Sequence, residues 1–494
     1  MGKDLSGALE ACREAGLLVE SAFDDFTPPE GAVVCSDSRL FRTGDLFACV
    51  PGEHFDGHSF LPEAERRGAC ALLVQRPVQT SLPYALLKDV RAGMGFFAAA
   101  LADYPLRQLQ AFAVTGSNGK TTSSLLLRHL IQASGKKCGL LGTLFNDDGK
   151  TCLEAERTTL ESSALQSFFA RMVANGCEAM VMETSSHGLA QGRVNGCAYD
   201  GGIFTNLSPE HLDFHGTMDD YFEAKKRLAT CYLKKDAPLA LCPHTPWGAK
   251  MADCASHPVT WGFDGAVDLL AQSTNLGPGG SDFDLTWKGK SLGRWSVPLV
   301  GKFNLENTLG VLALLFEKGY DPELLKGALP SAPSVPGRMN RFLLENGVTV
   351  VVDFAHTAKA LEAVLGALRP LARRVVSVFG HGGGRYQGAR PLLGEVADRY
   401  ADRIILTSDN SRDEDPAHIA QQISEGITHK DKVSQCLDRA EAIALALDQA
   451  YEGDVVVITG KGAERTIEQA GVKRPFNDEE QVRLWAQKKG VKLQ

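Results

Sequence analysis

The chain has 494 residues, of which 44% are hydrophobic and 23% charged, with 50 glycines, 12 cysteines and a formal net charge of −8. That length exceeds a single core and predicts about three domains, and the ordinary composition excludes a fibre or a disordered chain. The acidic charge is spread along the sequence without a basic stripe, which argues against a nucleic-acid partner.

The opening stretch "MGKDLSGALEACREAG" has charges where a signal peptide would need an apolar centre, and no window reaches the length of a membrane span. The cysteines sit in apolar runs such as "LFACV" and "GACALLV", without CxxC or zinc spacing. They read as buried thiols of a reducing compartment, and a cytoplasmic location follows. Up to residue 108 the mixed pattern predicts a small α/β domain, with "PEAERRGA" helical and "CALLVQ" a strand. From residue 109, "AFAVT" reads as a buried strand and "KTTSSLLLRHLIQASG" as an amphipathic helix ended by glycine, followed by further buried strands in "AMVMET" and "GGIFTN". The proline-rich "LPSAPSVPGRMNRF" closes this middle unit at 336. Over 337–494, "VTVVVDF", "RVVSVFG", "RIILTSD" and "DVVVITG" alternate with helical stretches, the signature of a parallel sheet covered on both faces.

Between the first strand and helix of the middle unit lies "VTGSNGKTT". Gly116 and Gly119 let the backbone curl so that the amides of Ser117 and Asn118 point inward at the positive end of the following helix. Lys120 adds a full charge, and Thr121, followed by Thr122, offers a hydroxyl to magnesium. Common nucleotide loops have glycine where Val114 stands, so the spacing here is GxxGKT. The pattern predicts a nucleoside triphosphate with Mg²⁺. By itself it fits a kinase, a motor, a switch or a ligase equally.

Three further stretches narrow the choice: "METSSHGLAQGR" at 182–193, "TNLSPEHLDFHGTMDDYFEAKKRL" at 205–228 and "GRMNRF" at 337–342. Together with the loop they resemble the Mur ligases of peptidoglycan synthesis, and within them the MurE type, which adds the third amino acid to UDP-N-acetylmuramoyl-alanyl-glutamate. The resemblance runs from about residue 33 to about 485. It implies an α/β protein of three-domain Mur ligase architecture: an N-terminal UDP-sugar-binding domain (1–108), a central P-loop ATPase domain (109–336) and a C-terminal Rossmann-like amino-acid-binding domain (337–494). It also implies ATP as co-substrate, Mg²⁺, an acyl phosphate, small-molecule partners only and a monomer.

By the same resemblance Glu183 and His211 help hold magnesium beside Thr121, and Lys225 is carbamylated, which turns a cation into an anion able to ligate or orient the metal. Read without it, "AKKRL" is an ordinary solvated helix face. The remaining nucleotide contacts fall on Asn304, Asn307, Arg338, Asp353 and His356, the last equally readable as a helix-start histidine. The UDP-sugar dipeptide matches Ser36, Ser38, Glu53, His54, Phe55, Arg157, Thr158, Thr159, Ser185, Gln191 and Arg193. Singly, these serines and threonines read as turn chemistry, and position 157 is arginine where the family has asparagine.

"TSDNSRDEDP" at 407–416 resembles the motif of ligases that add meso-diaminopimelate, whose extra carboxylate an arginine can pair in fork geometry. The resemblance assigns Arg390, Asp409, Asn410, Ser411, Arg412, Gly460 and Glu464 to this acceptor. Ser411 replaces a proline, Ala463 a histidine and Gly384 an aspartate, so L-lysine or another diamino acid stays open. The competing classes are a folylpolyglutamate synthase, which lacks a counterpart of "CSDSRLFRTGDLFACVPG", a non-catalytic ATP-binding switch, which would have eroded Lys120, Glu183 or Lys225, and a nucleic-acid motor, which would need a basic channel.

Overall fold

The computed structural model describes residues 5–23, 26–52, 55–277 and 279–493. The chain divides into two compact units, one of residues 1–271, 285–292 and 307–328, the other of residues 272–284, 293–306 and 329–494.

The first unit holds two sheets. Strands Val34–Cys35, Leu46–Ala48, Ala71–Val74 and Tyr84–Leu87 run parallel in that spatial order, and Leu18–Ser21 closes the edge antiparallel to the last. Helices Ser6–Glu14 and Val90–Leu101 pack on this sheet through Ala8, Cys12, Met94 and Phe97. The second sheet has a parallel core in the order Pro258–Gly262, Leu239–Leu241, Gly201–Phe204, Gln110–Thr115, Ala179–Glu183 and Cys138–Leu141. Its central strands are buried on both faces, as a parallel sheet under helices requires. Glu183 pairs in register with Val114, so the carboxylate that ends one strand stands beside the strand that feeds the glycine loop.

The second unit carries a six-stranded sheet in the order Asn340–Leu343, Thr349–Asp353, Val455–Thr459, Val375–Phe379, Arg403–Leu406 and Val433–Gln435. Only the first strand is antiparallel. Alternate residues serve opposite cores. Val375, Phe379, Ile404 and Leu406 pack with Leu361, Leu393 and Ile423, while Val376, Val378 and Ile405 pack with Ile443, Val482 and Trp485. Continuous valine runs therefore form strands here. Ligand sites in such sheets lie beyond the carboxyl ends of the strands, and Asp353, His381, Asp409 and Gly460 stand at or just past those ends.

The twelve cysteines are free, but not uniformly buried. Five are buried, five half-buried, and Cys152 and Cys231 are exposed. This corrects the expectation of buried thiols throughout: Cys152 lies on a strand whose three residues all face outward, and Cys231 lies in a turn after a helix. No helix among the described residues is long and apolar enough to cross a membrane.

Candidate active site

Strand Gln110–Thr115 delivers the chain to Gly116, whose φ of +146° only glycine adopts freely, and Gly119 at φ +87° caps helix Lys120–Ala133. A Cβ on Gly116 would stand 1.9 Å from Thr205 Oγ1, and one on Gly119 would stand 2.2 Å from Asn307 Oδ1. The loop is clamped from the side by the segment after strand Gly201–Phe204. The Ser117 amide donates to Asn206 O at 2.9 Å, the Asn118 amide to Asn206 Oδ1 at 3.0 Å, and Thr205 Oγ1 to Asn118 O at 2.6 Å. Ser117 Oγ also donates to Ser208 O at 3.1 Å and lies 3.0 Å from the Tyr221 hydroxyl. Thr205, Asn206 and Tyr221 were not singled out by sequence, although "TNLS" ends a strand beside the loop.

Lys120 Nζ folds back onto Gly116 O and Ser117 O, both at 2.8 Å. Lys225, 1% exposed, reaches the same Gly116 carbonyl at 2.8 Å and lies 4.6 Å from the Tyr221 ring centroid. Burial holds Lys225 well below the usual lysine pKa, and the charge of Lys120 pushes it further down. Two lysine side chains converging on one carbonyl oxygen make a place built for anionic charge.

Glu183, 1% exposed, takes hydroxyls from Thr121 at 3.0 Å and Thr143 at 2.9 Å on one oxygen, and the Thr143 amide at 2.9 Å on the other. Thr143 follows strand Cys138–Leu141 and carries no motif in the sequence. Hydroxyl and carboxylate oxygens of this kind suit a hard cation. Among the described residues no three His, Cys, Asp or Glu side chains gather as a metal-binding group. A single carboxylate with two hydroxyls fits Mg²⁺, which needs only one or two carboxylates when phosphates complete its shell. His211, in left-handed conformation at φ +57°, packs against His187 with ring centroids 4.8 Å apart. Burial brings its pKa down to about 4, with Glu210 opposing and His187, Lys120 and Lys225 adding to the drop, and its Nε2 lies 3.7 Å from Glu210 Oε1.

On the same unit, Glu161 Oε1 gathers three guanidiniums: Arg91 at 2.7 Å, Arg157 at 3.0 Å and Arg193 at 3.3 Å. Sequence named two of the three; Arg91 lies in a helix start without a motif. Thr159 Oγ1 donates to Glu183 O and accepts from the Ser185 amide, each at 3.0 Å, and Ser185 Oγ caps helix Ser186–Ala190. Both hydroxyls thus serve the backbone. Thr158 Oγ1 lies 3.1 Å from Thr143 Oγ1, and Gln191 Oε1 is buried without a partner among the described residues. Ser36 and Ser38 follow strand Val34–Cys35 half-buried, and Phe55 is 76% exposed. Glu53 and His54 lie outside the described residues.

In the second unit, Asp353 accepts the Met339 and Ala355 amides at 2.7 Å each, and burial raises its pKa. Arg338 stacks 4.5 Å from the Phe354 ring centroid, His356 Nδ1 lies 3.0 Å from Phe354 O, and Asn304 donates to Val300 O at 2.9 Å. Asp409, Asn410, Gly460 and Glu464 come together around Lys461, a residue that sequence did not single out. Lys461, fully buried, donates to Asn410 Oδ1 at 3.0 Å and Glu464 Oε2 at 2.7 Å and lies 3.8 Å from Asp409. Below them Arg439 and Asp478, both fully buried, pair through two contacts of 2.7 Å, and Arg439 also donates to Ser408 O and Thr459 O.

Arg412 stands in left-handed conformation at φ +52° and donates to Gly383 O at 2.6 Å. Ser411 is buried, its hydroxyl unpartnered among the described residues. Arg390, expected to supply a second guanidinium to the acceptor, is engaged within the protein. It is fully buried, its fork taken by Glu414 at 2.9 and 3.1 Å and by Gln422, and it holds the Glu414 carboxyl down at about 2.

The Mur ligase middle domain matches residues 114–315, the Mur ligase glutamate ligase domain residues 337–462, and the Mur ligase family catalytic domain residues 32–98. The UDP-N-acetylmuramoyl-L-alanyl-D-glutamate–2,6-diaminopimelate ligase of Aquifex aeolicus is 38% identical over 449 residues, 90% of this chain and 92% of that protein. A solved structure of a ligase of the same name superimposes with a TM-score of 0.69 at 32% identity, covering 94% of this chain and 97% of the other. The MurF ligase of Thermotoga maritima in complex with ADP shares the fold at 20% identity, with a TM-score of 0.66 over 92% and 97% of the two chains.

Proposed function

The chain belongs to the Mur ligase family, and we propose that it is the ATP-dependent ligase joining meso-diaminopimelate to UDP-N-acetylmuramoyl-L-alanyl-D-glutamate in peptidoglycan precursor synthesis. It has the family's three-domain α/β architecture. The proposed boundaries fall after residues 108 and 336, which separate the stretches matched by the three family models. The observation that carries the reading is the convergence of Lys120 and Lys225 on the Gly116 carbonyl beside the Glu183 carboxylate.

The Ser117 and Asn118 amides are taken by Asn206, which corrects the expectation that they face the phosphate, so the amides opening helix Lys120–Ala133, the Lys120 ammonium and the helix dipole cradle the triphosphate. The terminal phosphoryl group passes to a carboxylate of the precursor, giving ADP and an acyl phosphate. The acceptor amine attacks the acyl carbon, phosphate leaves with the C–O bonding pair, and the nitrogen sheds a proton as the amide forms. Thr121 and Glu183 would hold Mg²⁺, which when bound neutralises charge on the phosphates. Burial favours the uncharged amine of Lys225, the form whose free pair adds to carbon dioxide; the N–C bond forms and one proton is released. The resulting carbamate sets a negative charge opposite Lys120. The arginines around Glu161 serve the precursor's anionic groups. Arg412 meets the distal carboxylate of the acceptor, Asp409, Asn410 and Glu464 its amine, and Arg390, held by Glu414, positions that pocket.

The test offers protein, ATP, Mg²⁺ and the muramoyl dipeptide precursor with one amine at a time and measures phosphate release. Diaminopimelate gives turnover and L-lysine little. Turnover with lysine alone overturns the acceptor, and no ATP consumption with any amine overturns the reaction.

A further inference from the structure

We propose that a cavity at the amino-terminal edge of the central sheet binds a small amphipathic organic anion, apart from the sites for nucleotide, precursor and acceptor. The cavity measures about 630 Å³, within the size range of small-molecule sites. Its walls come from helices Ser6–Glu14 and Val90–Leu101, the turn Pro105–Gln108, the segment 195–198 and the chain around residues 227–234. Residues 105–108 precede strand Gln110–Thr115 and residues 195–198 precede strand Gly201–Phe204. The glycine loop lies past the other ends of those strands, a six-residue strand length or about 20 Å away.

Leu17, Phe96 and Leu106 give the cavity an apolar body, and its charge is one-sided. Among the described residues Glu14 is the sole acid on its wall, against Arg107, Arg227 and Lys234. Lys234 is neutralised by Asp200 at 2.8 Å. The two arginines have no carboxylate partner among the described residues. Arg107 stacks 4.0 Å from the Tyr104 ring centroid, and Arg227 is held by neutral oxygens, Ala190 O at 3.2 Å and the Tyr232 hydroxyl at 3.1 Å. The Tyr232 hydroxyl donates onward to Asn195 Oδ1 at 2.6 Å, which fixes the guanidinium in place. Two pre-oriented cations beside an apolar wall are what recognises a carboxylate, sulfonate or phosphate on a hydrophobic body. An incidental gap between packed layers would not need them.

The backbone is also specialised here. Helix Met218–Arg227 gives way to a π turn over Leu228–Tyr232, which brings Cys231 and Tyr232 to the cavity wall. Such turns are rare and concentrate at functional sites. Arg227 follows Lys225 by two residues, about 200° around the helix, so the two side chains leave it on opposite sides.

The experiment uses the full chain and anilinonaphthalene sulfonate, an amphipathic anion, with phenylnaphthylamine as the same ring system without the charge. Binding is followed by fluorescence and located by peptide-resolved alkylation of the two exposed thiols, Cys231 on the cavity wall and Cys152 elsewhere. The sulfonate should slow alkylation of Cys231 about fivefold or more and leave Cys152 unchanged. The uncharged probe should bind about tenfold more weakly, and Arg107→Gln and Arg227→Gln should each weaken the sulfonate about tenfold, the loss of one charge-assisted contact. Ala198→Trp, which fills the cavity, should abolish protection, while saturating ATP and precursor should not displace the probe. The proposal is overturned by absence of binding, equal protection of both thiols, equal affinity for the uncharged probe, displacement by ATP, or unchanged affinity in Arg107→Gln. That last variant disturbs only a ring stack, so it remains decisive even where Arg227→Gln misfolds.

Discussion

Replacing Arg412 separates two effects that a single substitution usually confounds. Its backbone sits at φ +52°, where a side chain costs about 1 kcal/mol relative to glycine. Its guanidinium, on the proposed reading, forms the charge-assisted contact with the far carboxylate of diaminopimelate, worth about 1.5–3 kcal/mol. At 1.4 kcal/mol per decade this predicts a KM for diaminopimelate raised roughly 10- to 150-fold in both Arg412→Gly and Arg412→Ala. kcat should hold, because the contact is remote from the reacting amine and equally made in ground and transition states. Stability should diverge. Arg412→Gly sheds the backbone strain and should unfold at higher urea than Arg412→Ala by the equivalent of about 1 kcal/mol. The checks are steady-state kinetics with diaminopimelate varied at saturating ATP, and urea melts of both variants. Unchanged KM in both, or a collapse of kcat at fixed KM, refutes the placing of the acceptor carboxylate on Arg412.

Gly116→Ala should end ATP consumption while leaving the circular dichroism near that of the parent, since the new Cβ would fall 1.9 Å from Thr205 Oγ1 on the segment that clamps the loop. Lys225→Ala should abolish phosphate release, and added short-chain carboxylic acids should restore part of it by supplying the missing anion; full activity without them would remove the carbamate from the mechanism. The buried His381 ring is held down at about 4, by burial first and then by Arg390, against about 6.5 when unfolded. The unfolded chain therefore takes the proton first as pH falls. The stabilisation is complete above about 6.5 and drains away towards about 4, by up to about 3 kcal/mol at 1.36 kcal/mol per unit. Hydrogen exchange in strand Val375–Phe379 should show the parent losing more protection than His381→Gln between those limits; parallel losses would refute it.

The glycine loop was legible because its function constrains spacing: a tight curl, a cation and a hydroxyl must follow one another immediately, so the signal is local. The strands of the second unit were legible for a related reason, since burial on both faces leaves an unbroken run such as "VVVIT". Pairings between distant residues were not. Nothing in "AKKRL" tells which lysine turns inward; Lys225 is buried against Gly116, and its neighbour Lys226 pairs with Glu223 at the surface. The pairing of Arg390 with Glu414 is likewise invisible in sequence, since 24 residues separate them. The same holds for Arg91 and Glu161, whose cluster assembles from three separate segments. Lys461 could have been found, since an ammonium inside a strand-end turn with an acid three residues on is a recognisable local pair.

Helix Asp478–Lys489 contributes no residue to the acceptor pocket, yet Asp478 is what fixes Arg439 under the carbonyls of Ser408 and Thr459. Asp478 lies 39 residues beyond Arg439 along the chain, so the floor of that pocket closes only once the two segments have met. The two ends of that support must therefore fold together, so the pocket floor and helix Asp478–Lys489 should gain and lose protection as one unit.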